Sequence, residues 1–152
     1  MRRSISKASL AVVLSKYVGQ PFKAGGNGEA DGGWGCLNLC LAVLQELGKA
    51  DKIPLAFGNI TLENYFQVFP TCEGNTDEVK STLLAFLNTI GTPVEIHNLQ
   101  VGDALMIKIG RGAFPAIYVG AQNVISSFVD RGVSLAKIDF SNVLIARRFS
   151  NG

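Results

Sequence analysis

The spacing of apolar residues changes along the chain. In the first part, apolar residues recur every three or four positions, which predicts helices near residues 5–17, 36–47 and 76–90, with a short helix near 61–66. Toward the C-terminus they form β-rich runs between glycine-containing turns, which predicts strands at residues 104–109, 116–119, 123–128, 134–138 and 143–149. Helices followed by an antiparallel meander predict an α+β fold, and residues 1–152 are expected to form a single domain.

The second predicted helix is apolar on almost every side. Its main stripe consists of Cys36, Cys40, Val43 and Leu47, with further leucines beside it. Because a helix that is hydrophobic all round is usually a buried one, we expect this helix to be central and packed on the C-terminal sheet. Gly48 is placed to end it.

Composition and charge exclude several classes of protein. Of the 152 residues, 47% are hydrophobic and 17% are charged, with a net charge of +2, as in an ordinary globular protein. The arginines at positions 2–3 and 147–148 form pairs rather than a basic stripe, which argues against nucleic-acid binding. Every apolar window is shorter than the roughly 18 residues of a membrane span, so we expect none.

The N-terminus has a basic start and a short apolar run, as a signal peptide does. However, Lys7 and Lys16 flank this run closely, and no small-residue cleavage site follows it. We therefore expect no signal peptide but an amphipathic helix. Its expected inward face consists of Ile5, Leu10, Val13, Leu14 and Tyr17.

Cys36 is the candidate for chemistry, because it stands where the glycine-rich loop Gly33-Trp34-Gly35 enters the second helix. The free N–H groups and positive dipole of a helix N-terminus favour a thiolate, which can lower the pKa of a cysteine from about 8.5. The alternative is a buried cysteine that packs as a small hydrophobic residue. The chain has three cysteines and one histidine, His97, without a metal-ligand spacing, so we expect neither a metal nor a cofactor.

Five segments in order resemble the NlpC-type cell-wall peptidases, which are papain-like cysteine hydrolases of bacteria and phage tails. The segments are PFKAGG (21–26), GWGCLNL (33–39), LQVGDAL (99–105), FPAIYVG (114–120) and VISS (124–127). The resemblance covers roughly residues 10–149 and is strongest to the phage tail branch of the family, because of the closing strand at residues 143–149. It implies a papain-like fold, in which N-terminal helices and a central Cys-bearing helix pack on an antiparallel meander or half-barrel.

The departures from the family pattern concern the catalytic groups. A thiol hydrolase needs a base beside the sulfur and a polar group that orients this base. The resemblance places Phe114 at the position of the base and Ser126 at the position of the orienting group, while Cys36 keeps the position of the nucleophile. His97 precedes Gly102-Asp103 and lies in a segment that, by the resemblance, leads in from outside the cleft. We therefore interpret it as a surface or half-satisfied histidine rather than as a replacement for the base.

The resemblance therefore implies a non-catalytic structural component of a bacteriophage tail tip or hub, made in the bacterial cytoplasm and located in the virion. Its partners would be other tail proteins. The candidate contacts are the loop at residues 25–35 and the aromatic residues Trp34, Tyr65, Phe66 and Phe69, although core packing is an alternative for each ring.

Two further functions remain open. The chain could be an active cysteine endopeptidase or amidase that cleaves peptidoglycan stem peptides, with Cys36 as the nucleophile. It could also be a binding module that keeps the cleft for a peptidoglycan peptide without cutting it.

Overall fold

A computed structural model describes residues 7–23, 26–48, 56–57, 60–61, 91–109, 112–128 and 130–149. Within these residues the fold is α+β, as predicted, with two helices and a six-stranded antiparallel sheet. The helices are α1 (Lys7–Tyr17) and α2 (Cys36–Glu46). The short strands are β1 (Asn27–Gly28), β2 (Gly33–Trp34), β3 (Ala56–Phe57), β4 (Ile60–Thr61) and β5 (Thr92–Pro93). The longer strands are β6 (Ala104–Ile109), β7 (Gly112–Gly120), β8 (Asn123–Phe128), β9 (Gly132–Lys137) and β10 (Val143–Arg148).

The main sheet has the strand order β5-β10-β6-β7-β8-β9. Strands β6 to β9 form the predicted meander, because each pairs with the next one along the chain. Strand β10 does not continue this meander; it crosses back and pairs with β6, and β5 pairs with its other edge. The prediction of a meander that closes on residues 143–149 was therefore wrong for this last strand, because its neighbours in the sheet are β6 and β5 rather than β9.

Strand β7 begins four residues earlier than the predicted strand at 116–119. The prediction stopped short because proline lacks the N–H group that a central strand uses. In the structure Pro115 nevertheless lies opposite Met106 in a central strand. Its carbonyl oxygen accepts a hydrogen bond of 2.9 Å from the Ser126 hydroxyl.

The two faces of the sheet bury two separate hydrophobic clusters. The face that packs on the helices, here called the inner face, contributes Ala104, Met106, Ala113, Ile117, Ile125 and Val133. The opposite face, called the outer face, contributes Leu105, Ile107, Phe114, Ala116, Tyr118, Val124 and Phe128. The alternation of side chains along each strand produces this division. Helix α2 packs across the inner face of β7 and β8.

Helix α1 buries Leu10, Val13 and Tyr17, three of the five residues predicted to face inward. Leu14 packs against the same cluster while partly buried, and Ile5 lies outside the described residues. The Tyr17 hydroxyl donates a 3.2 Å hydrogen bond to Glu46, and Lys16 forms a 2.9 Å ion pair with the same carboxylate. These contacts join α1 to the C-terminal end of α2.

Helix α2 ends as predicted, because Gly48 has a φ of +75°, the left-handed conformation of a helix stop. Of the predicted short helix at 61–66, Thr61 lies in β4 and the rest lies outside the described residues, as does the predicted helix at 76–90. Strand β5 was not predicted, since its two residues closely follow the helix predicted at 76–90.

Candidate functional site

The loop before α2 is held by main-chain hydrogen bonds that need glycine. The Trp34 N–H donates to the Pro21 carbonyl at 2.9 Å, and the Lys23 N–H donates to the Trp34 carbonyl at 3.0 Å. A β-carbon at Gly33 would lie 2.3 Å from that Pro21 oxygen, and the φ of Gly33 is +147°. Only glycine permits this approach of two backbone segments. The loop therefore fixes the direction in which the chain enters α2.

The side chain of Trp34 is a packing group within this loop. Its indole N–H donates a 2.8 Å hydrogen bond to Gln20, and its ring lies edge-on to Tyr17 with ring centroids 5.4 Å apart. These internal contacts favour the core-packing interpretation of Trp34 over a role in partner contact. Tyr65, Phe66 and Phe69 lie outside the described residues.

Helix α2 begins at Cys36, in agreement with the sequence prediction. Gly35 is the N-cap residue, with extended backbone angles, and it supplies no side-chain cap. The first helical hydrogen bond runs from the Leu39 N–H to the Gly35 carbonyl at 2.9 Å. The N–H groups of the first turn lack intrahelical partners, as at any helix N-terminus. The role of Cys36 as a nucleophile stays a prediction.

Ser127 is the described side chain that connects the sheet to the start of α2. Its hydroxyl donates a 2.7 Å hydrogen bond to the Trp34 carbonyl, two residues before Cys36, and the residue is only 1% exposed. Ser127 is two residues after Ile125 and therefore shares the inner face with it. Ser126 lies between them on the other face, and its hydroxyl donates a hydrogen bond to Pro115 on the neighbouring strand β7. Sequence reasoning missed Ser127, although the alternation of β8 carried the signal.

Phe114, like Ser126, lies one position away in its strand from the side chains that face α2. Its side chain is 7% exposed and lies in the outer-face cluster, where its ring meets that of Phe128 edge-on at 5.5 Å. The neighbours that face α2 from β7 are Ala113 and Ile117. The assignment of Phe114 and Ser126 to the base and orienting positions stays a prediction, but neither residue belongs to the cluster that α2 covers.

His97 lies after β5, the strand at one edge of the sheet. It follows β5 in a 3-10 turn, its side chain is 75% exposed, and it pairs with Glu95 at 3.0 Å. Two strands, β10 and β6, separate β5 from β7, which corresponds to about 14 Å at the usual strand spacing. The interpretation of His97 as a surface histidine agrees with this position.

Asp103 is a buried carboxylate with a structural role. It is 1% exposed and accepts two hydrogen bonds of 2.9 Å from Arg148, through Nε and Nη2. The Gln100 N–H donates a third at 2.8 Å. The hydrogen bonds from the guanidinium to Asp103 raise the pKa of Arg148. The sequence could not show this partner, because Arg148 lies 45 residues further along the chain on β10.

The thiol of Cys40 is unsuited to chemistry. It lies one helical turn after Cys36 and is buried in the inner-face cluster. Burial raises the pKa of this thiol, so it stays protonated at neutral pH. The described residues contain no group of three or more histidine, cysteine, aspartate or glutamate side chains that could hold a metal ion. None of the described helices is long and apolar enough to cross a membrane.

Comparisons with known proteins give the fold a context. No protein-family model matches the sequence. No curated protein matches it either. Solved structures do match it, and they include several NlpC/P60 proteins.

An NlpC/P60 family protein from Bacillus cereus aligns over 97% of this chain and 41% of its own length, with 18% identity and a TM-score of 0.59. The NlpC/P60 domain of the peptidoglycan hydrolase SagA aligns over 95% of this chain and 100% of its own, with 18% identity and a TM-score of 0.55. The peptidoglycan hydrolase RipB from Mycobacterium tuberculosis aligns over 96% of this chain and 69% of its own, with 14% identity and a TM-score of 0.55.

These likenesses establish that the chain has the NlpC/P60 fold, which the sequence resemblance predicted. At identities of 14–18% they concern the fold alone. The chain spans less than half of the Bacillus cereus protein.

Proposed function

We propose that this chain is a non-catalytic domain of the NlpC/P60 fold that serves as a structural component of a bacteriophage tail tip or hub. The observation that carries the first half of the proposal is the position of the only histidine in the chain. His97 is exposed, pairs with Glu95, and lies in a 3-10 turn that follows β5, an edge strand of the sheet.

The described side chains that β7 and β8 turn toward α2 include no replacement for an imidazole. The inner face of β7 and β8 presents Ala113, Ile117, Ile125 and Ser127 there, and none of these can accept a proton from a thiol at neutral pH. Asp103, the buried carboxylate among the described residues, is paired with Arg148. A thiolate without a general acid and base can be alkylated, but it cannot readily protonate an amine leaving group.

The structural half of the proposal is supported by the closing strand at residues 143–149, for which the sequence most resembles the phage tail branch. The loop before α2 also leaves residues 29–32 exposed between two short strands that are anchored to the domain. A rigidly held exposed loop suits contact with a neighbouring subunit. The partners would be other tail proteins, and the site of action would be the virion.

One observation favours the enzyme alternative. Cys36 is the first residue of α2, and Gly35 supplies no side chain that could cap the helix in place of the thiolate. This is the position in which a cysteine becomes nucleophilic. The alternative activity is cleavage of peptidoglycan stem peptides.

Peptidoglycan zymography distinguishes the two functions. The wild-type chain, Cys36→Ala and the control His97→Ala should all leave the substrate uncleared, because loss of general acid–base help costs about 10²–10⁴ in rate. Clearing by the wild type and His97→Ala but not by Cys36→Ala would establish the enzyme.

Electron microscopy tests the location. Antibodies against this chain should label the tail tips of phage particles released by the source strain. The structural role in the virion would be refuted if the tails stay unlabelled and the protein content of the particles lacks this chain. This outcome does not depend on the result of the zymography.

A further inference from the structure

We propose that the outer face of the sheet carries a second binding site, which takes the carboxyl terminus of a peptide that ends in an aromatic residue. This site lies on the side of the sheet opposite α2, so it is independent of Cys36 and of the proposed function. It is a pocket of about 530 Å³, within the range of ligand-binding pockets.

The floor of the pocket is apolar and aromatic. Ile107, Phe114, Phe128 and Ile138 line it, and all four belong to the outer-face cluster. The rings of Phe114 and Phe128 already form one edge-to-face contact at 5.5 Å. An aromatic side chain from a ligand could extend this arrangement, because such pairs add about 0.5–1.5 kcal/mol beyond burial of their area.

The wall of the pocket carries a cation that is placed for a carboxylate. The guanidinium carbon of Arg131 lies 4.4 Å above the centre of the Phe128 ring. Its nearest carboxylate among the described residues is Asp130, whose oxygen is 4.0 Å from Nε, beyond hydrogen-bond distance. The guanidinium is therefore held against the aromatic floor while its paired N–H donors remain available, and a carboxylate matches these donors in a bidentate geometry.

The other charges around the pocket leave it positive. Lys108, Arg131 and Lys137 line it against only two carboxylates, Asp130 and Asp139. Asp139 is engaged, since it accepts hydrogen bonds from the Ser141 N–H at 2.9 Å and the Ser141 hydroxyl at 2.7 Å. Within the described part of the chain, Lys108 and Lys137 have no ion pair, so the unbalanced charge favours an anion.

A peptide terminus fits this combination better than an internal segment does. The last residue of a peptide carries both a carboxylate and a side chain. The carboxylate can meet the Arg131 guanidinium, which is stacked on the Phe128 ring, while the side chain meets the aromatic floor beside it. The rim residues Asp130, Arg131 and Lys137 are exposed, so the rest of the peptide can leave toward solvent.

Calorimetric titration of the full chain tests the site with three probes. N-acetyl-Gly-Gly-Phe with a free carboxylate should bind, while the same peptide with a carboxamide terminus should bind at least about tenfold more weakly, because a charge-assisted hydrogen bond is lost. The third probe, 3-phenylpropionate, lacks the peptide and should bind more weakly than the free-acid peptide.

The matched variants are Arg131→Gln and Lys23→Gln, which remove an exposed cation at the pocket and one elsewhere. Arg131→Gln should weaken binding of the free-acid peptide about tenfold or more, and Lys23→Gln should leave it unchanged. Thermal melts verify that both variants are folded. Equal binding of acid and amide, full binding by Arg131→Gln, or no binding of the free-acid peptide at millimolar concentration would overturn the site. Binding of 3-phenylpropionate as tight as that of the peptide would overturn the assignment to a peptide terminus.

Discussion

The ion pair between Asp103 and Arg148 gives a quantitative test of how the C-terminal strand is held in the sheet. The change Arg148→Met keeps most of the apolar stem and removes the guanidinium, so Asp103 loses two of its three hydrogen bonds. Removing one partner of a buried pair costs about 3–5 kcal/mol, because an uncompensated charge remains. The Arg148 side chain is itself 19% exposed, so water can reach the vacated side of Asp103. We therefore expect the lower end, about 3 kcal/mol.

Urea denaturation followed by circular dichroism measures this loss. In a thermal melt, about 3 kcal/mol corresponds to a decrease of about 10 °C for a chain of this size. The double variant Asp103→Asn, Arg148→Met should recover part of the loss, since the stranded charge is gone.

The matched control is Lys16→Met, which breaks an ion pair of the same 2.9 Å length whose side chains are 53% and 32% exposed. An exposed pair contributes about 0.2–1 kcal/mol. A loss from Arg148→Met as small as that from Lys16→Met would refute the argument that burial decides the strength of this contact.

Two further predictions concern the loop before α2 and the contact between α1 and α2. Gly33→Ala should destabilise the fold by more than about 2 kcal/mol, because backbone strain adds to a contact of 2.3 Å between the new β-carbon and the Pro21 oxygen. Gly32→Ala, at a residue with φ +90° and open space around it, should cost only the strain of about 1–2 kcal/mol. Equal losses of the two variants in urea titrations would contradict this reasoning. Burial and Glu46 raise the pKa of Tyr17 from 10.0 to about 12. The protonated hydroxyl should therefore contribute fully to the free energy of unfolding below pH 10, and this contribution should decline between pH 10 and 12. The measurement compares the free energy of unfolding of the wild type with that of Tyr17→Phe across this pH range. Parallel profiles of the two proteins would exclude the contribution.

The sequence by itself determined the local elements. The three- and four-residue spacing of α1 and α2 and the β-rich runs of β6 and β8 are local signals, and the structure has α2 beginning at Cys36 as predicted. The glycine at position 48 determined the end of α2, because its positive φ is a property of that residue. The NlpC/P60 fold was also predictable, since its segments occur in their usual order along the chain.

Tertiary structure alone decided which strands are neighbours and which side chains face α2. The return of β10 to β6 joins positions 36 to 43 residues apart. The pairing of Asp103 with Arg148 joins positions 45 apart, and the hydrogen bond from Ser127 to Trp34 joins positions 93 apart. The faces of Phe114 and Ser126 were not predictable from the aligned segments, because a shift of one residue in a strand turns every side chain to the other face. Pairing partners and bulges, which form only when distant segments meet, fix that register.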